Sequence, residues 1–217
     1  NTDKLSEFYE ELKRLGIKVK RPCINECEAE FIPENKTLFY ALGAIKNVGF
    51  EAVSQIVRER KKNGEFKSIS DFINRVNPKN INKLQLEGLV KAGAFDSIFE
   101  NRKVLYDNIP NIILNSKTLY ESKLQNQKSL FSDENQKVSY LINNKSFSKW
   151  SYEEILAKEF ETVGFYLSNH PLSSYEDILK QYNAQSFKEF ENSDTNESFV
   201  AGTVMSIKEK KTSKGTP

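Results

Sequence analysis

Cysteine and histidine are nearly absent from this chain of 217 residues, which contains Cys23, Cys27 and a single histidine, His170. A four-ligand zinc site of cysteine and histidine cannot be assembled from so few residues. A nucleophilic triad is also excluded in practice, because its base would have to be His170, which precedes Pro171 where we expect a helix to end. We therefore predict two reduced thiols, no catalytic residue and no metal site.

Long apolar runs and a strong net charge are missing as well. The apolar runs are too short to span a bilayer, and residues 1–9 are charged and amphipathic, without the pattern of a secretory signal. These features predict a cytoplasmic protein without a membrane partner. The formal net charge is only +2, so a surface for nucleic acid would have to arise from the local arrangement of basic residues.

Glycine is scarce, with 9 residues in the whole chain, yet it recurs in two similar patterns of helix, tight turn and helix. The first turn covers residues 43–49 and leads into a helical run at 50–62. The second covers residues 89–95 and leads into Arg102 and another helical run. A glycine turn that opens a helix leaves backbone N–H groups open at the positive end of the helix dipole, where phosphate binds.

Two such turns within about fifty residues of each other favour a DNA backbone over a small metabolite. Backbone contacts carry no base information, so we expect binding that is independent of sequence and sensitive to salt. Taken singly, each turn could equally be an ordinary helix corner with a structural glycine. The predicted DNA-binding residues are Lys46, Asn47, Val48, Gly49, Lys91, Gly93, Ala94, Arg102 and Lys103.

Apolar periodicity predicts a mostly α-helical fold with short β elements. Helices are predicted at 3–15, 50–62, 68–76, 80–91, 101–114, 151–167 and 174–182. Short strands are predicted at 17–19 and 37–42, with an irregular segment at 21–34 between them. Ser68 or Ser70 is expected to cap one helix, and Ser151 with Glu154 forms the capping box of another.

The last residues differ in kind from the rest. Residues 199–207 alternate like a strand, and a basic, hairpin-like turn follows them. Because a lone strand is not stable, we expect that the chain is cut inside a β domain.

Residues 115–150 form a connector in which polar residues dominate, with scattered apolar residues and a candidate docking motif. Gln127, Ser129, Leu130 and Phe131 belong to this motif, in which two adjacent apolar side chains could dock into the pocket of a partner. The alternative is that Leu130 and Phe131 attach the connector to its own domain.

The carboxylates are not placed for catalysis. Two-metal phosphoryl transfer requires carboxylates that converge from separate strands. Glu26, Glu28 and Glu30 alternate along one segment, and a second group, which includes Glu159, falls on one predicted helix with Glu153 and Glu154. We expect all of them on solvated faces.

Taken together, these segments resemble the C-family bacterial replicative polymerases, the alpha subunits of DNA polymerase III. The resemblance rests on residues 15–22 with Asn25 and Glu26, and on 42–49, 91–96, 127–131, 164–172, 200–202 and 210–215. They occur in the family's order and cover nearly the whole chain. The second turn lacks the second glycine of an ideal hairpin, which sets it apart from the first.

The resemblance implies a tandem helix-hairpin-helix domain, and five regions within the chain. These are the end of the fingers region at 1–40, the tandem helix-hairpin-helix region at 41–114, the connector with a motif for the sliding clamp at 115–150, a helical segment at 151–195, and the first strand of a truncated OB-fold at 196–217. Implied partners are double-stranded DNA, the clamp and other replicase subunits. The catalytic aspartates and their Mg²⁺ would belong to a palm domain that this chain lacks.

Two other classes of protein remain open from the residues alone. One is a helix-hairpin-helix accessory protein of DNA repair or recombination, and the other is an interaction scaffold that does not bind DNA. A duplex-binding titration at two salt concentrations separates the scaffold from the DNA-binding proteins.

Overall fold

The computed structural model describes residues 2–124 and 148–204 and divides the chain into two compact units, Asn1–Ser168 and Asn169–Pro217. The helices of the first unit are α1 (Thr2–Arg14), α2 (Phe50–Asn63), α3 (Ile69–Arg75), α4 (Lys83–Lys91), α5 (Arg102–Asp107), α6 (Ile109–Leu124) and α7 (Tyr152–Val163). Its strands are β1 (Lys18–Lys20), β2 (Ile32–Glu34) and β3 (Thr37–Phe39). The predicted fold class, mostly α with short β elements, is confirmed.

A small three-stranded sheet follows α1, with the strand order β1-β3-β2. Strand β1 pairs parallel to β3, and β2 pairs antiparallel to it. Asn35 and Lys36 connect β2 to β3 with φ of 45° and 60°, the left-handed conformation that a two-residue hairpin turn requires. Strand β2 lies in the segment that we expected to be irregular. It has no apolar alternation, and Pro33 is tolerated because β2 is an edge strand.

The core of the first unit is built from the faces that the periodicity predicts. Helix α2 buries Ala52, Val53, Ile56 and Val57, and α3 and α4 add Phe72 and Leu89 among others. The predicted caps are confirmed: the Ser68 side chain accepts a hydrogen bond from the Asp71 N–H, and the Ser151–Glu154 capping box is complete.

The helix that we predicted at 101–114 is two helices. Helix α5 ends at Asp107, and the side-chain amide of Asn108 donates to the carbonyl of Val104 at 2.8 Å. Pro110 lies in the first turn of α6, where its missing N–H removes no helical hydrogen bond. Helix α6 then continues to Leu124, into the part of the sequence that we expected to be a connector.

The second unit contains a 3-10 turn (Pro171–Tyr175) and two short helices, α8 (Glu176–Gln181) and α9 (Phe187–Glu191). Of the predicted strand at 199–207, the structure describes residues up to 204. There Val200 forms an isolated parallel bridge with Gln185 instead of a longer ladder, as expected for a strand without a partner. The boundary between the two units falls inside the predicted helical segment 151–195.

None of the helices within residues 2–124 and 148–204 is both long and apolar enough to cross a membrane.

Candidate nucleic-acid interface

The first glycine turn presents its backbone and one basic side chain to solvent. A 3-10 turn (Leu42–Ala44) precedes it and α2 follows it. Ile45 and Val48 are buried, whereas Lys46, Asn47 and Gly49 are exposed. Asn47 has φ of 66°, a left-handed conformation that asparagine adopts more readily than most residues. The two apolar side chains thus fasten the turn to the core and leave its outer edge accessible.

Helix α2 begins at this edge without a side-chain cap. Its N-cap is Gly49, which has no side chain to accept from the first N–H groups. Gly49 and Phe50 are both exposed, so the positive end of the helix dipole faces solvent. Glu51 contributes a negative charge in the first turn, and Lys46 contributes a positive one just before it. An anion that approached Gly49 would find open backbone N–H groups and the Lys46 ammonium.

Two neighbouring helices hold the first turn in place. The N–H of Lys46 donates to the carbonyl of Thr162 in α7 at 2.9 Å. On the other side, α4 packs against the turn through Gly88. A Cβ built at Gly88 would lie 2.8 Å from the Lys46 carbonyl oxygen and 2.8 Å from Val48 Cγ2. Glycine is needed there so that the helix can approach the turn's backbone.

We expect Gly88→Ala to lower the free energy of unfolding by about 2 kcal/mol, because the forced contact is with a backbone oxygen that cannot move aside. Alanine is the better helix former by about 1 kcal/mol, so a stabilised variant would contradict the packing described here. Thermal unfolding measures the effect. Gly202→Ala is the control, since a Cβ built there meets no atom within 4 Å.

The second turn uses its backbone inside the protein. Helix α4 ends at Lys91, and Gly93 follows with φ of 78°. The N–H of Gly93 donates to the Val90 carbonyl at 3.0 Å, and the N–H of Ala94 donates to the Leu89 carbonyl at 2.9 Å. This is a Schellman motif, which closes the carboxyl end of a helix. Gly93 and Ala94 are both buried, so their N–H groups are not presented to solvent.

The basic residues of the second turn are also committed to protein partners. Lys91 Nζ donates to Glu161 Oε1 at 2.7 Å, and only 11% of the Lys91 side chain is exposed. Burial alone would lower the pKa of Lys91, but the hydrogen bond and charge of Glu161 raise it above the usual value. The same hydrogen bond holds the pKa of Glu161 below its usual range. At neutral pH both groups are therefore charged and hydrogen-bonded to each other.

The Arg102 guanidinium makes more hydrogen bonds to the protein than the Lys91 ammonium does. Its Nε and Nη2 donate to the two carboxylate oxygens of Asp96 at 2.8 and 2.5 Å, and its Nη1 donates to the Lys91 carbonyl at 3.2 Å. Its side chain is 8% exposed. Gly93 is required beside it, because a Cβ there would overlap the guanidinium. Lys103 is partly exposed and pairs with Asp107 at 3.0 Å.

Eight of the nine predicted DNA-binding residues therefore fall into two groups. Lys46, Asn47 and Gly49 meet at one exposed edge, with Val48 buried beneath it and Lys103 elsewhere on the surface of α5. Lys91, Gly93, Ala94 and Arg102 are buried in the second turn. DNA contact by this second group stays a prediction. The burial of these four residues does not support it, because buried groups are not presented to a ligand. The predicted clamp-binding residues Gln127, Ser129, Leu130 and Phe131 lie outside the described residues.

One carboxylate lies in the core, contrary to the prediction from the sequence. Glu153 and Glu154 are exposed as expected, but Glu159 on the same helix is 1% exposed. Its Oε1 accepts the N–H groups of Leu167 and Ser168, each at 2.6 Å, and its Oε2 accepts the Ser168 hydroxyl at 2.5 Å. The solvated face predicted for Glu159 is thus corrected to a buried one. A carboxylate accepting several donors is a stable way to bury charge.

The two thiols lie in different environments. Cys27 is buried, and burial raises its pKa to about 11, so it remains protonated at neutral pH. The Cys23 thiol is half-buried and donates to the Ser97 hydroxyl at 3.5 Å. Over the part of the chain that the structure describes, no three Cys, His, Asp or Glu side chains are grouped so that they could hold a metal ion.

The first unit contains a helix-hairpin-helix domain: a family model for the helix-hairpin-helix motif matches residues 16–105, which include both glycine turns. Curated relatives that match most of the chain share one name. The chain is 39% identical over 186 residues to DNA polymerase III subunit alpha of Borreliella burgdorferi, and 37% identical over 182 residues to that of Caulobacter vibrioides. It is 34% identical over 215 residues to that of Campylobacter jejuni.

These matches cover 85%, 83% and 95% of the chain. They cover 16%, 16% and 17% of the relatives, so the chain spans about a sixth of their length. The chain is homologous to a segment of the bacterial DNA polymerase III alpha subunit. The resemblance noted in the sequence is confirmed.

Proposed function

We propose that this chain holds duplex DNA by its sugar-phosphate backbone within the catalytic subunit of a bacterial replicative DNA polymerase. The observation that carries the proposal is the exposed edge formed by Lys46, Asn47 and Gly49 at the uncapped start of α2. Such an edge recognises phosphate and not bases, so binding is independent of sequence. Holding the duplex keeps the primer end near the catalytic centre, which raises its effective concentration there.

The comparisons support this proposal at two levels. The helix-hairpin-helix match includes the first turn, and the relatives are named as subunits of a DNA polymerase. In the proposal, nucleotidyl transfer and its Mg²⁺ belong to a palm domain outside this chain. The chain itself is non-catalytic. The proposed setting is the cytoplasm, together with other replicase subunits. The names of the relatives favour this function over a repair accessory protein.

The proposed division of the chain follows the resemblance. Residues 1–40 end the fingers region, 41–114 hold DNA, 115–150 bind the sliding clamp, 151–195 form a helical segment and 196–217 begin an OB-fold. In this scheme the duplex-binding turn is supported from 151–195 as well, because Thr162 of α7 accepts the Lys46 N–H. Clamp docking by Gln127, Ser129, Leu130 and Phe131 rests on the motif and on the family.

We expect Lys46→Glu to weaken duplex binding about tenfold and equally for unrelated DNA sequences, because it replaces a phosphate contact by a repulsion. The slope of log affinity against log salt should become shallower by about 1. Fluorescence anisotropy with two labelled duplexes, titrated at several salt concentrations, measures both quantities. A loss confined to one sequence would argue against backbone binding.

Two further variants sharpen this test. Lys117→Glu makes the same charge change on an exposed part of α6 and should affect duplex binding much less. Gly49→Ser supplies a hydroxyl that caps the open N–H groups of α2 from within. It should leave folding stability unchanged or slightly higher while it weakens duplex binding. If Gly49→Ser binds as the unmodified chain does, these N–H groups do not contact phosphate.

A further inference from the structure

A polar cleft of about 190 Å³ opens beside the second turn, between Ala92-Gly93 and the loop that follows β1. Three basic and two acidic side chains line this cleft. Two of the basic side chains have carboxylate partners in the cleft wall: Lys20 pairs with Glu26 at 2.7 Å, and Arg102 pairs with Asp96. One positive charge is therefore left over.

That charge belongs to Arg21. Its side chain is exposed, and its Nη1 donates to the Ser168 hydroxyl at a long 3.4 Å. Among the described residues, no carboxylate forms an ion pair with it. With one long hydrogen bond and no ion pair, the guanidinium has most of its N–H donors available for a ligand. These donors lie in a planar fork that matches two oxygens of a phosphate.

Two further donors line the same cleft, the Lys20 ammonium, which is already bonded to Glu26, and the neutral Ser97 hydroxyl. Lys20 Nζ carries three N–H groups, of which one is used by Glu26. The Ser97 hydroxyl accepts from the Cys23 thiol at 3.5 Å, which leaves its own O–H to donate. Behind them, the Arg102–Asp96 pair and Gly93 form a wall whose groups are already bonded to each other. The open donors thus line the cleft together with a wall whose groups are hydrogen-bonded to one another.

We propose that this cleft binds a phosphate group of the DNA backbone, with Arg21 as its main ligand and Lys20 and Ser97 as additional donors. The proposal rests on the function proposed above and deepens it. The second backbone contact is then made by the cleft beside the second turn, and the buried N–H groups of Gly93 and Ala94 serve only to end α4. Glu26, on the rim, opposes phosphate and limits the affinity of the site.

The test compares duplex affinities of the 217-residue chain by fluorescence anisotropy over a range of salt concentrations. Arg21→Gln should weaken binding about fivefold at low salt and reduce the salt slope by about 0.9, the value for one phosphate. Its matched control is Lys117→Gln, which removes one positive charge from the exposed surface of α6 and should leave both quantities nearly unchanged. Circular dichroism verifies that both variants fold.

Glu26→Gln should change duplex affinity in the direction opposite to Arg21→Gln. Removing the opposing carboxylate should strengthen duplex binding about threefold, whereas Glu121→Gln, the same change on α6, should not. A gain in affinity cannot come from partial unfolding, so this variant remains informative even if Arg21→Gln is unstable. Equal effects of Glu26→Gln and Glu121→Gln would show a general charge effect and overturn the inference.

The outcomes separate this inference from the proposed function. If Lys46→Glu weakens duplex binding and Arg21→Gln does not, the cleft is not a DNA site and the proposed function stands. If neither variant weakens it, both proposals fail. A titration with inorganic phosphate, followed by NMR, separates the sources of the anion. Saturation of the cleft by inorganic phosphate with normal duplex affinity in Arg21→Gln would also overturn the inference.

Discussion

Replacing Leu130 and Phe131 together by alanine is expected to abolish binding of the chain to the sliding clamp, with a loss of at least about 100-fold in affinity. Both side chains are apolar and adjacent, in a connector in which polar residues dominate. Apolar anchors that fill a partner's pocket typically each contribute about 2 kcal/mol or more when truncated. Surface plasmon resonance with immobilised clamp measures the affinity, and duplex binding by the same variant should be unchanged.

The connector supplies its own control. Leu141 and Ile142 are another adjacent apolar pair between residues 115 and 150, and alanine at both should leave clamp affinity within about twofold. Unchanged clamp affinity after replacement of Leu130 and Phe131 would refute the assignment of the motif. An equal loss from both pairs would show that apolar content, and not this motif, drives the association.

Glu159→Ala should have the largest effect on folding. The variant leaves the buried N–H of Leu167 and the partly buried N–H of Ser168 without their acceptor, and a buried group of this kind costs about 1–3 kcal/mol. We expect the free energy of unfolding to fall by about 4 kcal/mol in total. Denaturant unfolding measures it, with the change in midpoint as the main quantity.

Glu159→Gln is the matched variant, since its amide oxygen can still accept both N–H groups and its NH₂ can donate to the Ser168 hydroxyl. It should lose less than half as much stability as Glu159→Ala. Equal losses would mean that the carboxylate charge, and not the hydrogen-bonding geometry, stabilises the turn at 164–168. A loss below about 1 kcal/mol in Glu159→Ala would contradict the buried position of this side chain.

The two glycine turns look alike in sequence and differ in the structure. In each, glycine follows or precedes a helix with lysine nearby, so the local pattern indicates the same phosphate-binding corner. Gly49 stands at the start of a helix, where N–H groups are open. Gly93 stands at the end of one, where its N–H closes the helix. Asp96 lies six residues before its partner Arg102. It is the sequence signal that Arg102 is paired within the protein beside the second turn.

Most of the helices, their caps and the first turn were predictable from the sequence, because apolar periodicity and capping depend on residues within a few positions of each other. Strand β2 could not be predicted in this way, since it pairs through its backbone at a sheet edge and needs no apolar pattern.

Which charges are buried was decided only by the tertiary structure. Lys91 meets Glu161 from α7, and Glu159 meets the N–H groups of Leu167 and Ser168 where the chain turns back. Burying a charge is costly unless partners are brought to it, and those partners come from the packing of whole elements. The sequence by itself therefore determined that mostly helical structure with a helix-hairpin-helix domain would form. The packing of α4, α5 and α7 determined that the second turn ends α4 inside the protein. It also left Arg21, which forms no ion pair with any described residue, in the cleft beside that turn.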